Sequence, residues 1–230
     1  MSGPLAARLA ELDWAAIERE LDAQGCARLP GVLSQDLCRE LAALYPHDAH
    51  FRSRVVMVRH GFGRGEYRYF SYPLPLPVAE ARSLMYARLA PVANRWNALL
   101  GLAARYPAEH EAYLAECHRA GQRRPTPLLL RYEAGDYNCL HQDLYGERVF
   151  PLQVAFLLSA PERDFTGGEF VLTEQRPRMQ SRAEVVPLQQ GDAVVFAVHH
   201  RPVAGGKAVI GSICATASAG YVPANATRWG

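Results

Sequence analysis

Five short apolar runs follow one another after Pro127: Leu128 to Glu133, Val149 to Ser159, Gly168 to Leu172, Ala183 to Pro187 and Ala193 to His199. The separators Ala134-Gly-Asp136, Pro161-Glu-Arg-Asp164 and Gln189-Gln-Gly-Asp192 are rich in turn formers. A strand this short cannot bury its face alone, and an evenly spaced series of them predicts a sandwich or jelly roll. The residues before this series read differently. Leu9, Leu12, Trp14, Ile17 and Leu21 recur near helical spacing, with Gly25 placed as a C-cap. Cys26 to Leu33 reads as a short strand and turn, and Ser34 caps a helix carrying Leu37, Leu41 and Leu44 on one face. Val55 to Val58 and Tyr67 to Tyr72 read as strands around the Gly61–Gly65 turn. Val78 to Leu102 and Pro107 to Gly121 read as helices. The predicted class is α+β, with residues 1–125 as a helix-and-strand part buttressing a jelly-roll core over 126–230.

Composition narrows the class further. Hydrophobic residues make up 49% and charged residues 21%, which is a globular balance and excludes a disordered chain. No apolar run approaches the roughly 20 residues of a membrane helix, and Met1 to Arg8 has no apolar signal core. The five cysteines, Cys26, Cys38, Cys117, Cys139 and Cys214, are odd in number and scattered, which fits a reducing cytoplasm rather than a disulfide framework. Net charge is only +2, so no global field demands a nucleic-acid partner. Lys207 is the one lysine beside 24 arginines, a bias expected of GC-rich coding sequence.

The chemistry-bearing cluster is Arg131-Tyr-Glu-Ala-Gly-Asp-Tyr-Asn-Cys-Leu-His-Gln-Asp143. On a strand, His141 and Asp143 project from the same face. An imidazole and a carboxylate so placed match two sites of a 2-His-1-carboxylate iron centre. A satisfied surface histidine in a turn is the alternative. The order of the cluster, the apolar run from Val149, Phe165-Thr-Gly-Gly-Glu-Phe-Val171 and Val186 to Phe196 resembles the iron(II)/2-oxoglutarate dioxygenases. The likeness is to their bacterial prolyl-4-hydroxylase-like and AlkB-like branches. It is close over the second half of the chain and loose over the first.

The resemblance implies a double-stranded β-helix (jelly roll) core with an N-terminal helical layer. It implies His141 and Asp143 as iron ligands, Tyr132 as a wall of the 2-oxoglutarate pocket, and no catalytic residue beyond the ligands. Asn138 stands where many relatives carry a second, co-substrate-binding tyrosine. Gly167-Gly168-Glu169 matches a turn opening a core strand, a structural role. The implied cofactors are iron(II) and 2-oxoglutarate, with ascorbate as an accessory. The implied reaction is oxidative decarboxylation to succinate coupled to C–H hydroxylation. On an N-methyl group this dealkylates a damaged base; on a ring carbon it modifies a prolyl or small-molecule substrate. A cupin-like binding barrel would need more converging histidines than His141, His199 and His200. A metal-free interaction module would bind no stoichiometric iron. Arg123-Arg124, Arg176-Pro-Arg178 and Arg182, with Tyr67-Arg-Tyr-Phe70, offer phosphate contacts and base stacking to a nucleic acid. A solvated basic surface and ordinary core aromatics are the weightier reading. Trp14, Trp96, Glu169 and Glu174 read as structural.

The family also carries a distal His-x-Val, about six residues, and Gly-x-Arg leading into a last strand. There the histidine completes the metal site and the arginine pairs with the far carboxylate of 2-oxoglutarate. This chain has His199-His200-Arg-Pro-Val203 but no Gly-x-Arg after it, and from Ala204 onward it contains no Asp or Glu. Back-translating from Ala208 and reading from the third base of that codon converts residues 209–230 to GYRVNMRHGISRLRAGQRNALG. The wobble base of each original codon is chosen and becomes the first base of each new one; with that choice the string holds H-G-I, five residues, and G-Q-R. The hypothesis that follows is an insertion or deletion near the Ala208 codon, which would account for the tail and predicts a last strand disrupted from about residue 208. The competing reading makes His199 or His200 the third ligand and Lys207 the anchor.

Overall fold

The computed structural model describes residues 3–144, 148–176, 178–203 and 206–214, the last of these by backbone alone. The helices are α1 (Pro4–Glu11), α2 (Trp14–Gln24), α3 (Gln35–Ala43), α4 (Leu76–Leu99) and α5 (His110–Arg119). The strands are β1 (Cys26–Leu29), β2 (Phe51–Val56), β3 (Gly63–Arg64), β4 (Glu66–Phe70), β5 (Leu128–Arg131) and β6 (Tyr137–Asn138). They continue as β7 (Leu152–Phe156), β8 (Phe170–Gln175), β9 (Arg182–Val186), β10 (Ala193–Ala197), β11 (His200–Val203) and β12 (Gly206–Cys214).

The single N-terminal helix expected from Leu9 to Leu21 is two helices. Leu12 is extended, and the Asp13 side chain accepts the Ala16 amide at 2.9 Å, starting a new helix. Helical spacing alone does not register such a cap. Gly25 ends α2 with φ of 80°, and the Ser34 hydroxyl caps α3 through Leu37 N. Between β2 and β4 the expected simple turn contains a 3-10 turn, Met57–His60, and the short strand β3.

The sheets are ordered β1-β10-β7, β11-β12-β8-β9, β2-β4-β5 and β3-β6. β7 and β10 are buried along their whole length, so they read as continuous apolar runs rather than alternating ones. β1 pairs with β10 in register Cys26–Phe196 to Leu29–Ala193, and β4 pairs with β5. The two parts expected on either side of residue 125 thus share sheets and one continuous core. Asp192, 2% exposed, ties this junction: it accepts from Gly31 N, Gln189 N and Arg28 Nε. The break expected from about residue 208 is absent from the backbone, because Gly206–Cys214 pairs with β11 on one side and β8 on the other. Val209, Ile210 and Ile213 favour a strand. Residues 215–230, where the Gly-x-Arg pattern of the alternative frame falls, lie outside the described residues.

α4 and α5 close over β7 through Tyr86, Tyr106, Tyr113 and Phe150, whose rings lie 4.9–5.9 Å apart in the contacting pairs. His110 joins this packing. Its ring is 5.1 Å from Tyr86 and its Nδ1 is 3.0 Å from the Ser83 hydroxyl. Burial, reinforced by Arg82, holds its pKa down to about 4. The fold therefore favours neutral His110. Its contribution is fully present above the ordinary value of 6.5 and is lost as pH falls from there toward about 4. Chemical denaturation at about pH 5 should show roughly 1–2 kcal/mol less stability than at about pH 7 from this residue. His110→Gln should remove that part of the slope, and an unchanged slope would refute the assignment.

Trp96 is fully buried and donates to Asp22 at 2.6 Å, and Trp14 donates to the Leu9 carbonyl at 2.7 Å; both are packing residues. Cys26, Cys38, Cys117 and Cys139 are free thiols. Among the described residues no helix is long and apolar enough to cross a membrane.

Candidate functional site

The site is built where β5 leaves its sheet. The Glu133 amide donates to the Asp136 side chain at 2.8 Å and the Asp136 amide to the Glu133 carbonyl at 2.9 Å, reversing the chain. β6 then runs antiparallel to β3. Gly65, at φ of 114°, lies so close to Tyr132 that a Cβ there would come within 2.7 Å of the ring. Only glycine lets the β3–β4 segment approach this ring. Cys139 N donates to Phe62 O at 2.8 Å and delivers the chain to His141.

His141 and Asp143 lie beyond β6, outside any named strand, which departs from the expected strand placement. They nonetheless meet: His141 Nε2 is 3.5 Å from Asp143 Oδ1. His141 Nδ1 lies 2.8 Å from the Cys139 carbonyl. A proton on Nδ1 donated to that carbonyl leaves Nε2 as the acceptor nitrogen, the arrangement that orients metal-binding imidazoles. Two donors each about 2.1 Å from one metal in adjacent positions are separated by about 3 Å, close to the observed spacing. His141 and Asp143 thus fit one edge of an iron site by donor chemistry and by distance. Among the described residues no group of three His, Cys, Asp or Glu side chains fits a metal ion. The rings of His199 and His200 lie 3.6 Å apart against each other where β11 begins, and among the described residues neither completes a three-donor metal group with His141 and Asp143. Iron bound here would supply the redox chemistry of oxygen activation. The chain's part would be to orient His141 through Cys139 O and to present the Asp143 carboxylate.

Asp143 also lines a cavity of about 510 Å³ with Arg52, Arg82, Arg123, Arg124 and Arg148. Tyr69, Tyr72 and Phe150 add aromatic wall, and Gln153 and Val198 reach it from the core strands. This concentration of guanidinium groups was not legible locally, because the five arginines come from four separate stretches of chain. Tyr132 and Asn138 do not line that cavity. Tyr132 is 4% exposed and packs with Met57, Tyr67, Leu130 and Phe165, while Asn138 pairs with Gly63. Of the Tyr67–Phe70 aromatics, Tyr67 and Phe70 are core and Tyr69 faces the cavity. Arg176 pairs with Glu174 and Arg182 with Gln24, away from the cavity wall. Gly167 and Gly168, at φ of 72° and 70°, form the turn before β8.

Solved structures of several oxygenases share this fold. A prolyl-4-hydroxylase from Pseudomonas putida matches with a TM-score of 0.53 at 15% identity, over 94% of this chain and 97% of its own. An oxidoreductase of the 2OG-Fe(II) oxygenase family from Burkholderia pseudomallei gives 0.55 at 15% identity, over 95% and 90%. A prolyl hydroxylase from Trichoplax adhaerens, bound to a hypoxia-inducible-factor peptide fragment, gives 0.54 at 11%, over 100% and 94%. At these identities the likeness is one of fold, and the fold is that of the 2-oxoglutarate/iron(II) oxygenases. Two uncharacterized proteins of Mycobacterium tuberculosis, one from each of two strains, are 51% identical over 134 residues. That match covers 58% of this chain and 58% of each relative, so the chain spans little more than half the length of the curated relatives it matches. Residues 65–215 match the model of a family of oxygenases described as catalysing oxidative methylation of damaged DNA. The chain belongs to that oxygenase family.

Proposed function

We propose that this scaffold serves an iron(II)- and 2-oxoglutarate-dependent dioxygenase that hydroxylates a C–H bond of damaged nucleic acid. The observation that carries the reading is the His141 Nε2–Asp143 Oδ1 pair, oriented by Cys139 O, at the wall of an arginine-lined cavity. In this reading His141 and Asp143 are two of three iron ligands, and Tyr132 and Asn138 border the 2-oxoglutarate pocket. The family's description, which concerns damaged DNA, and the cationic cavity favour nucleic acid over a prolyl substrate. Hydroxylation of an N-methyl carbon gives a hemiaminal that breaks its C–N bond, releasing formaldehyde and the unmodified base. The third ligand and the 2-oxoglutarate anchor are assigned to the alternative frame of residues 209–230, so the chain as it stands holds iron weakly.

The test uses the chain carrying the alternative-frame tail, a methylated single-stranded oligonucleotide, iron(II) and 2-oxoglutarate. Formaldehyde and succinate should form in equal amounts, and Asp143→Ala should abolish both. Succinate without formaldehyde would retain the oxygenase and discard the nucleic-acid substrate. Neither product would discard both.

A further inference from the structure

The mouth of the cavity concentrates positive charge that ligation of iron does not use. Arg52, Arg123, Arg124 and Arg148 are exposed there, and Arg82, 5% exposed, lies deeper and donates to the Tyr72 hydroxyl at 3.1 Å. The mouth is braced rather than incidental. After α5 the chain turns at Gly121, and the Gln122 side chain exchanges two hydrogen bonds with the Arg148 backbone, at 2.9 and 3.2 Å. On the other side Arg52 Nε donates to the Pro125 carbonyl at 3.1 Å. The segment bearing Arg123 and Arg124 is therefore pinned between the segments bearing Arg148 and Arg52. Arg52 lies 4.3 Å over the Tyr69 ring, and Arg124 is near enough that its charge, after burial, lowers the Arg52 pKa. The carboxylates at hand are few: Glu116 stands 3.9 Å from Arg148, and among the described residues Asp143 is the one acidic residue in the wall. Among the described residues no carboxylate pairs with Arg52, Arg123 or Arg124. Like charges held together without counter-charge raise the folded-state energy and fit a ligand that brings the anions.

We infer that Arg52, Arg123, Arg124 and Arg148 form a phosphate clamp for single-stranded nucleic acid, with a base entering the cavity past Tyr69. The exposure pattern supports a polymer: Arg52, Arg123, Arg124 and Arg148 are exposed, Tyr69 lies half-buried under Arg52, Phe150 is buried, and Asp143 is in the wall. This places phosphates outside and a base inside, at a cavity large enough for one nucleobase. The assignment rests on the nucleic-acid reading above, but it concerns binding and can be tested without metal or co-substrate.

The experiment is fluorescence anisotropy of a labelled single-stranded oligonucleotide with the full chain, titrated over a range of salt. Each phosphate contact removed should lower the slope of log affinity against log salt by about 0.7. Arg123→Gln with Arg124→Gln should therefore lower it by about 1.4 and weaken binding at least about tenfold at low salt. Arg39→Gln, which makes one such charge change on the exposed face of α3, should leave the slope unchanged. Equal weakening by Arg39→Gln would show a diffuse charge effect and overturn the clamp. So would a mononucleotide that competes as well as the oligonucleotide, or no binding by the unaltered chain. Formaldehyde release that survives the double substitution with its salt dependence intact would discard the clamp and leave the oxygenase reading standing. Loss of binding in the double variant, with succinate but no formaldehyde formed by the otherwise unaltered frame-corrected chain, would keep the clamp and discard the dealkylation.

Discussion

Replacing residues 209–230 with GYRVNMRHGISRLRAGQRNALG is expected to raise 2-oxoglutarate turnover to succinate by at least about 100-fold. Loss even of a group that only orients a metal ligand costs about 10–100-fold in affinity or activity, and a missing ligand exceeds that. The chain presents His141 and Asp143 as a two-donor edge, and no third donor joins them among the described residues. Metal affinity follows ligand number and geometry, so two donors hold iron far more weakly than three. The replaced segment supplies a histidine and, ten residues beyond it, an arginine able to fork onto a carboxylate. The measurement is succinate formed with iron(II) by the two chains in parallel, together with anaerobic iron titration of each. Equal turnover would mean that His199 or His200 moves to the metal in solution, and the frame argument would fail. Sequencing the gene gives an independent check, since codons incompatible with the alternative frame would remove its basis.

Truncating Arg201 or Glu174 should cost about 3–5 kcal/mol, enough to unfold a marginal domain. Arg201 is 1% exposed and Glu174 is 6% exposed. Arg201 Nε and Nη2 reach Glu174 Oε2 at 2.7 and 2.5 Å, and Arg176 Nε reaches Oε1 at 2.6 Å. Arg201 Nη1 also donates to the Asp22 carbonyl at 2.9 Å, tying β11 to α2 as well as to β8. Removing Glu174 strands the Arg201 charge where water cannot solvate it, and removing Arg201 leaves the buried Glu174 carboxylate with Arg176 alone. Burial alone would raise the Glu174 pKa, but the hydrogen bonds from Arg176 and Arg201 outweigh it and hold the carboxyl below its ordinary value. Its contribution is therefore present above the ordinary carboxylate pKa and is lost as pH falls through the lowered folded value. Urea denaturation of Arg201→Ala and Glu174→Ala measures the effect. Arg201→Met with Glu174→Leu should recover much of the loss, because a packed apolar pair carries no stranded charge. Losses below about 1 kcal/mol in both single variants would show that the pair is solvated in solution.

The linear sequence determined what depends on neighbours within a few residues. Turn formers between apolar runs located β5 and β7 to β10, and Ser34 and Gly25 marked helix ends, because capping and turn chemistry are local. The His-x-Asp spacing was enough to bring two donors within reach of one another, even though the segment that holds them is not a regular strand. Asp13 as a cap inside an apolar period was missed, since the period continues across it. Tertiary structure alone decided that β1 enters the core sheet beside β10, that Glu174 and Arg201 are buried partners, and that five arginines surround one cavity. Charge density at a point depends on distance in space, and residues 52, 82, 123, 124 and 148 converge only when α5 and the β2–β4–β5 sheet are folded around the Asp143 segment.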